Sequence, residues 1–368
     1  MRHIYLVRHG EMDVGTDEKL CVGKTDMPLA EGAYDRAVTL GKWLRKNIDG
    51  DPVIASSQLA RAFDTALAIA ECFGTNAGGV AIDEDFSEVD TGAWGGKPFS
   101  VIRREYPDDY EDHGKSLGYY RFPGGESVAE AGERFEKALK RLIKTTTGDI
   151  IVISHSGPIR AMLCRMLGMS ADDFMKLPAP TLGVTIISED GKLAVERVGY
   201  RPTALLDTEE INTLYRKNNL PDNVVSHMKK VAEYSRKILN ETDPNCERFD
   251  HELVTKAALV HDVARLQPNH AICGARILRR EGFYDVADLV EAHHGIHINE
   301  ESPLTEEEIL FYADKRVLED KVVTLEERFN ASREKCLTDE AKRSHAALHR
   351  KAELIEAKMF GGKQDETR

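Results

Sequence analysis

The sequence predicts an α/β three-layer domain, with a mostly parallel sheet and helices on both faces, followed by an all-α domain. Its length of 368 residues favours two domains over one. Up to about residue 200, short apolar runs alternate with stretches of helical spacing, which is typical of a parallel sheet covered on both faces. Beyond that point strand signals are absent, and the apolar residues recur with helical spacing.

Each predicted strand of the first domain is an apolar run that ends at a polar residue or a glycine. The strands are residues 4–7, 52–57 and 149–154, and residues 181–198 form a hairpin about Asp190 and Gly191. The helices between them are residues 29–48, 58–74, 127–145 and 158–168. Ser127 suits the N-cap of the third of these helices.

The second domain is predicted from amphipathic segments alone. They are residues 222–241, 251–266, 270–282, 286–295 and 305–321, with a long, charged and exposed helix over residues 338–362. The predicted organisation is a first domain at residues 1–200, a junction at 201–222, a second domain at 223–330, and a C-terminal helical extension and tail at 331–368.

Charge and cysteine usage restrict the class of protein. Lys plus Arg total 50 against 63 Asp plus Glu, a net charge of −13, which argues against a nucleic acid polymer as partner. No stretch approaches the roughly 18 apolar residues of a membrane span, and the N-terminus lacks the apolar core of a secretory signal. The scattered cysteines, without a CxxC pair, indicate reduced thiols in the cytoplasm. These cysteines are Cys21, Cys72, Cys164, Cys246, Cys273 and Cys336.

Cationic residues follow the predicted strands of the first domain. One strand leads into Arg8 and His9, another into His155, and a third is followed within a few residues by Arg61. If these strands are neighbours, the side chains converge at the carboxyl edge of the sheet, where they would bind a dianionic phosphate. An imidazole beside phosphate can act as a nucleophile, and Glu88, in a glycine-containing loop, is the best candidate for the acid.

Five segments in this order resemble the histidine phosphatase superfamily, which has the phosphoglycerate-mutase-like fold. They read LVRHGE, SSQLARAFDTA, FSEVDTGAWGGK, FPGGES and VISHSGPIR. The resemblance implies that His9 is the phosphorylated nucleophile and Glu88 the proton donor. It also implies that Arg8, Arg61 and His155 bind the phosphoryl group, without a cofactor.

The segment GKTDMPLAEG, with Gly23 and Thr25, is similar to the substrate loop of the phosphatase branch, particularly that of the alpha-ribazole phosphatases. Met12 stands where this branch usually has Thr, and Asp64 where it often has Gln. Neither departure removes a catalytic group, and both leave the identity of the small phosphorylated metabolite open.

Histidines and acidic residues lie on or beside apolar helical stripes of the second domain. His261 and Asp262 are adjacent, and His293 and Asp314 fall on stripes of later helices. A buried carboxylate needs a cation, and no Lys or Arg is expected on the inward face that carries Asp314. A metal held by imidazoles and carboxylates therefore satisfies the pattern.

The order of these residues resembles the HD superfamily of metal-dependent phosphohydrolases. The resemblance implies ligands to one metal at four positions and further ligands of two-metal members at two more. These ligands are His227, His261, Asp262 and Asp314, followed by His270 and His293. Iron, manganese, cobalt or nickel suits this mixture of donors. Arg265, where relatives have Lys, would bind a substrate phosphate, and His294 lies off the stripe.

Both resemblances together predict a bifunctional phosphohydrolase that acts on small, nucleotide-like phosphorylated metabolites, and a homo-oligomer is compatible with the sequence. In one alternative, the second domain binds metal and nucleotide without turnover and regulates the phosphatase. In another, the first domain is a mutase-type phosphotransferase, which must shield its phosphohistidine from water. Four other histidines, His3, His113, His251 and His297, are expected at the surface.

Overall fold

The computed structural model describes residues 2–298, 302–334 and 337–360. The chain forms two compact units, the first ending at Leu205 and the second beginning at Leu206. The predicted thiol Cys336 and the predicted tail after residue 360 lie outside the described residues. The domain boundaries drawn from the sequence stay a prediction.

Eight strands form in the first unit, and six of them make one sheet in the order β4-β3-β6-β1-β7-β8. They are β1 Arg2–Arg8, β2 Leu20–Cys21, β3 Val53–Ser56, β4 Val80–Ile82, β5 Lys97–Pro98, β6 Ile150–Ser154, β7 Val184–Glu189 and β8 Leu193–Tyr200. Strands β4, β3, β6 and β1 are parallel, whereas β7 and β8 form the predicted antiparallel hairpin. The sequence did not predict edge strand β4, because only Val80 of its residues is buried.

Helices cover both faces of this sheet. The helices of the first unit are α1 Ala33–Asn47, α2 Ala60–Glu71, α3 Phe99–Glu105, α4 Pro107–Lys115, α5 Val128–Thr145 and α6 Ser156–Leu167. On one face, Phe135 of α5 and Met162 of α6 pack on Leu6. The alternate residues, such as Tyr5 and Ile151, are buried on the other face, where α2 packs on β3 and β6. The α/β three-layer prediction is confirmed.

The pairing of strands β1, β6 and β3 determines which residues leave the sheet at the same edge. Strands β1 and β6 pair in parallel with Arg8 opposite Ser154, and β6 pairs on its other side with β3. His9 and His155 each follow these paired strands by one residue, so they leave the sheet at the same edge. The predicted capping box is also present, since Ser127 and Glu130 satisfy each other's backbone N–H groups at the start of α5.

In its described residues, the second unit is helical apart from one ribbon of two two-residue strands. Its elements are α7 Thr208–Lys217, α8 Asp222–Thr242, α9 His251–Val260, α10 His270–Arg280, α11 Tyr284–Gly295, α12 Glu306–Lys315, β9 Val317–Leu318, β10 Lys321–Val322, α13 Leu325–Arg333 and α14 Asp339–Phe360. The all-α prediction for the second domain is confirmed. Among the residues described, no helix has both the length and the apolar character needed to cross a membrane.

Three helix predictions in this unit need correction. The predicted helix at 251–266 ends at Val260, so the His-Asp pair lies in the turns that follow it. The predicted helix at 305–321 ends at Lys315, and the ribbon turns where Glu319 has φ of 56°. The predicted exposed helix α14 buries Ala352 and Ile355, because one of its faces packs on α12.

We expect the first unit to fold alone, and we expect its stability to depend on the residue at which the fragment ends. Leu205 is 1% exposed and its short 3₁₀ helix contacts α1, so a fragment of residues 1–205 retains this packing. A fragment ending at Arg201 loses it and should be less stable by about 1.5–3 kcal/mol. Urea unfolding of the two fragments measures the difference, and equal midpoints would contradict the assignment of Leu205 to this core.

Candidate active sites of the two units

The structure brings the predicted cationic residues of the first unit together. Arg8 ends β1 and His9 follows it, while His155 is the N-cap of α6 and Arg61 lies in the first turn of α2. The imidazole rings of His9 and His155 are 5.0 Å apart between centroids, and both residues are buried. This cluster has the positive charge and the geometry to hold a phosphoryl group beside an imidazole.

His9 is held in one tautomer. Its Nδ1 lies 2.6 Å from the carbonyl oxygen of Gly10, and a carbonyl only accepts, so the proton is on Nδ1. Burial, followed by the charges of Arg8 and Arg61, holds the pKa of His9 well below its ordinary value. The ring is therefore neutral at pH 7, with the lone pair on Nε2.

The loop at Gly23 orients the Arg61 guanidinium. Nη2 of Arg61 donates to the Gly23 carbonyl and Nη1 to the Thr25 carbonyl, each at 2.9 Å. Gly23 has φ of 53°, and a Cβ atom there would lie 2.2 Å from Oγ1 of Thr91, so only glycine fits. The substrate-loop residues predicted from the sequence thus contribute carbonyl oxygens to this site.

Ser57 orients His155, a role that the sequence analysis missed. Its Oγ lies 2.7 Å from Nε2 of His155, whose pKa is lowered well below the ordinary value by burial and then by the charges of His9 and Arg61. The residue follows β3 at the same sheet edge, so the strand-end argument that found His9 could have found it.

Glu88 is placed by contacts from other elements. Its backbone carbonyl accepts from Nη2 of Arg134 at 2.8 Å, and its Oε1 accepts from the Val89 N–H at 2.9 Å. A Cβ atom on Gly157 would lie 2.5 Å from this Oε1. Burial raises the pKa of Glu88, which favours the protonated form that an acid needs. Arg134 was not predicted as a site residue, since it lies within the regular helix α5.

A cavity of about 270 Å³ opens onto this cluster. Arg8, His9, Arg61 and Glu88 line it together with several apolar side chains. His113, expected at the surface, also lines this cavity, and its ring centroid is 5.3 Å from that of Trp94. That expectation was wrong because α4 packs its histidine into an aromatic cluster, where burial lowers its pKa.

Three imidazoles of the second unit have Nδ1 hydrogen-bonded to a backbone carbonyl. His227 bonds to Glu319 at 3.0 Å, His261 to Ala258 at 2.8 Å, and His293 to Val290. Each Nδ1 therefore carries a proton, and Nε2 is the ring atom that faces the cluster, the arrangement in which histidine binds metals.

The Nε2 atoms meet carboxylates in a compact cluster. Ligand atoms of His227, His261 and Asp262 lie within 4.8 Å of one another, as do those of Asp262, His270 and His293. Among the described residues, the buried Nε2 of His261 has no hydrogen-bond partner, as expected of a ligand atom. These nitrogen and oxygen donors fit a divalent cation.

Asp314 completes the cluster and has an ammonium partner that the sequence analysis excluded. Its Oδ1 lies 3.1 Å from Nε2 of His227, whereas its Oδ2 accepts from Lys315 Nζ at 2.6 Å. Burial alone raises the pKa of Asp314, but Lys315 and the two nearby histidines outweigh it and hold the pKa well below the ordinary value. The prediction of no inward Lys was wrong, because the lysine side chain folds back onto its neighbour's carboxylate.

Arg265 lies beside the cluster in the turns after α9. Its Nη1 is 3.5 Å from Oδ2 of Asp262, and the side chain is half exposed. It lines a cavity of about 860 Å³ together with His227, Asp262 and Asp314. This opening is large enough for a small-molecule ligand, for which roughly 300–1,000 Å³ is typical.

Of His251 and His297, which the sequence predicts at the surface, only His297 is exposed. His251 is not free at the surface, because its Nε2 lies 3.2 Å from Oδ2 of the buried Asp243. That carboxylate also accepts backbone N–H groups of residues 247–249, so the pair stabilises a loop. His297 is exposed as expected, and the side chain of His294 lies outside the described residues.

Known proteins resemble both units. The histidine phosphatase superfamily (branch 1) matches residues 4–199, and the HD domain family matches residues 224–317. Phosphoserine phosphatase 1 of Hydrogenobacter thermophilus is 31% identical over 192 residues, which cover 51% of this chain and 86% of that protein.

Solved structures resemble the first unit. Bacillus stearothermophilus YhfR has 24% identity and a TM-score of 0.50, over 55% of this chain and 98% of that chain. The alpha-ribazole phosphatase from Shigella flexneri has 23% identity and a TM-score of 0.48, over 53% of this chain and 95% of that chain. The HD domain implies a divalent metal, and both families are phosphohydrolases. The chain belongs to the histidine phosphatase superfamily, branch 1, and carries an HD domain after its phosphatase domain.

Proposed function

We propose that the first unit hydrolyses a small phosphomonoester through a phosphohistidine at His9. The observation that carries this proposal is the neutral His9 ring, whose Nδ1 proton is held by Gly10 while Arg8 and Arg61 provide positive charge beside it. These guanidinium groups stabilise the charge that develops on the phosphoryl oxygens. This part of the reaction therefore needs no bound metal.

The proposed chemistry has two balanced steps. In the first, the Nε2 lone pair of His9 forms a bond to phosphorus, the ester P–O bond breaks, and Glu88 donates its proton to the leaving oxygen. In the second, the Glu88 carboxylate takes a proton from water, whose oxygen displaces His9 from phosphorus. Inorganic phosphate leaves, and both side chains return to their starting protonation states.

We propose that the second unit is a metal-dependent hydrolase of nucleotide-like phosphate esters. The support is the cluster of imidazole and carboxylate ligands, which opens onto the 860 Å³ cavity. One or two ions of iron, manganese, cobalt or nickel suit these donors, and such a cation supplies Lewis acidity and lowers the pKa of bound water. Arg265 stands at the cavity wall, where it orients a substrate phosphate, and Lys315 fixes Asp314.

The test for the second unit is an assay of the full chain, with Asp262 intact, against nucleotides and cyclic nucleotides. Hydrolysis that chelator abolishes and transition metal restores is the expected result. Metal and nucleotide binding without turnover would instead favour the regulatory alternative. The assay uses the full chain that carries His9→Ala, so that phosphate release from the first unit does not contribute.

Replacing Glu88 by glutamine is expected to slow the first unit most for substrates with poor leaving groups. Glutamine cannot donate the proton, so alkyl phosphates should lose about 100-fold in rate and p-nitrophenyl phosphate much less. In the wild type, activity falls as pH rises through the pKa of Glu88, which burial raises above its ordinary value. The variant should lack this decline. Equal losses for both substrates would argue against Glu88 as the acid.

A further inference from the structure

We infer that the phosphatase cavity of the first unit selects monophosphates whose alcohol part is uncharged and apolar, and preferably aromatic. This inference rests on the proposed function of that unit. It concerns the part of the substrate beyond the phosphoryl group, which is bound by the wall of the 270 Å³ cavity.

The positive charges of the cavity wall lie where the phosphoryl group binds. Among the described residues of the wall, the Lys or Arg side chains are Arg8 and Arg61, and both lie beside the nucleophile. Arg160 is close enough to lower the pKa of Arg8, but it does not line the cavity, and its Nε donates to the Leu177 carbonyl at 2.8 Å. A carboxylate or second phosphate on the substrate therefore meets no free cation on this wall.

Apart from the hydroxyl side chains of Thr91 and Ser156, most of the remaining wall is apolar, and several of its side chains are only half-buried. Met12, Leu20, Val22, Leu117 and Phe174 come from separate parts of the chain and all line the same cavity. Covering such surface with an apolar group removes it from water and favours binding, whereas a charged group would lose hydration without compensation.

Aromatic rings form one side of this wall. Phe122 and His113 line the cavity with their ring centroids 5.5 Å apart, and Trp94 packs behind both. Burial lowers the pKa of His113, so this ring adds no positive charge at neutral pH. The rings of Phe122 and His113 can pack against an aromatic ring of the substrate.

The full chain tests this inference with benzyl phosphate and O-phosphoserine, which both release a primary alcohol. We expect kcat/KM to be greater for benzyl phosphate by about tenfold or more. Leu117→Lys places an ammonium group on the wall and should reverse much of this preference. Leu167→Lys is the control, because Leu167 is 46% exposed and does not line the cavity.

The results separate this inference from the function on which it rests. Hydrolysis of p-nitrophenyl phosphate reports the proposed phosphatase activity even if the wall contributes nothing to binding, because nitrophenolate is a good leaving group. If that hydrolysis occurs but O-phosphoserine is preferred, or if both lysine variants change the ratio equally, the inference is overturned alone. If no phosphomonoester is hydrolysed, the proposed function and the inference both fail.

Discussion

Replacing His9 by alanine is expected to abolish phosphomonoester hydrolysis by the first unit, with a loss of roughly 10⁴-fold or more. His9 supplies the only proposed nucleophile, and its Nε2 lone pair is available because Nδ1 donates to Gly10. Rapid quenching of the wild type with radiolabelled substrate should trap a phosphoenzyme that is stable in alkali and labile in acid. The variant should form none.

His3→Ala is the matched control for this experiment. His3 lies on β1, the strand that leads into His9, but its ring pairs with Glu196 at 3.9 Å, and the side chain is 31% exposed. We expect this variant to keep wild-type activity. Chelator should not affect the wild-type rate, since Arg8 and Arg61 provide the positive charge. Complete loss of the rate in chelator, or phosphoenzyme in His9→Ala, would contradict the mechanism.

Replacing Asp262 by alanine is expected to remove metal from the second unit. Asp262 belongs to both groups of ligand atoms, so its loss breaks both at once. Metal affinity should fall by about a hundredfold or more. Substitutions of residues that only support the ligands lower metal affinity by about 10- to 100-fold, and Asp262 is itself a proposed ligand. Elemental analysis of the purified full chain, after reconstitution with each candidate metal, measures the effect.

The same substitution should reduce stability without altering the first unit. His270 Nε2 lies 3.2 Å from Oδ1 of Asp262, and loss of this buried contact should cost about 1–3 kcal/mol. Asp288→Ala is the control, because Asp288 is 63% exposed and pairs with Arg279. Phosphomonoester hydrolysis at His9 should be unchanged in both variants. A wild-type chain that binds no metal after reconstitution would make the ligand assignment wrong.

Local pattern was enough for the architecture and for the histidines that follow the strands of the first unit. Alternating apolar runs and helices predict a parallel sheet, and parallel strands bring their carboxyl ends to one edge. This is why His9 and His155 could be predicted as neighbours from residues far apart in sequence. The order of His227, the His-Asp pair and Asp314 resembles the HD superfamily, and that resemblance implied the ligands of the helical unit.

Tertiary structure alone decided how these residues are held. Arg134 reaches the Glu88 backbone from 46 residues away, and Ser57 reaches His155 across 98 residues. Helix α9 ends just before His261, and Lys315 folds onto Asp314, which periodicity does not report. A sequence pattern reports which face of its own element a residue occupies. Which partner a side chain contacts depends on packing between elements, and that is settled only when the chain has folded.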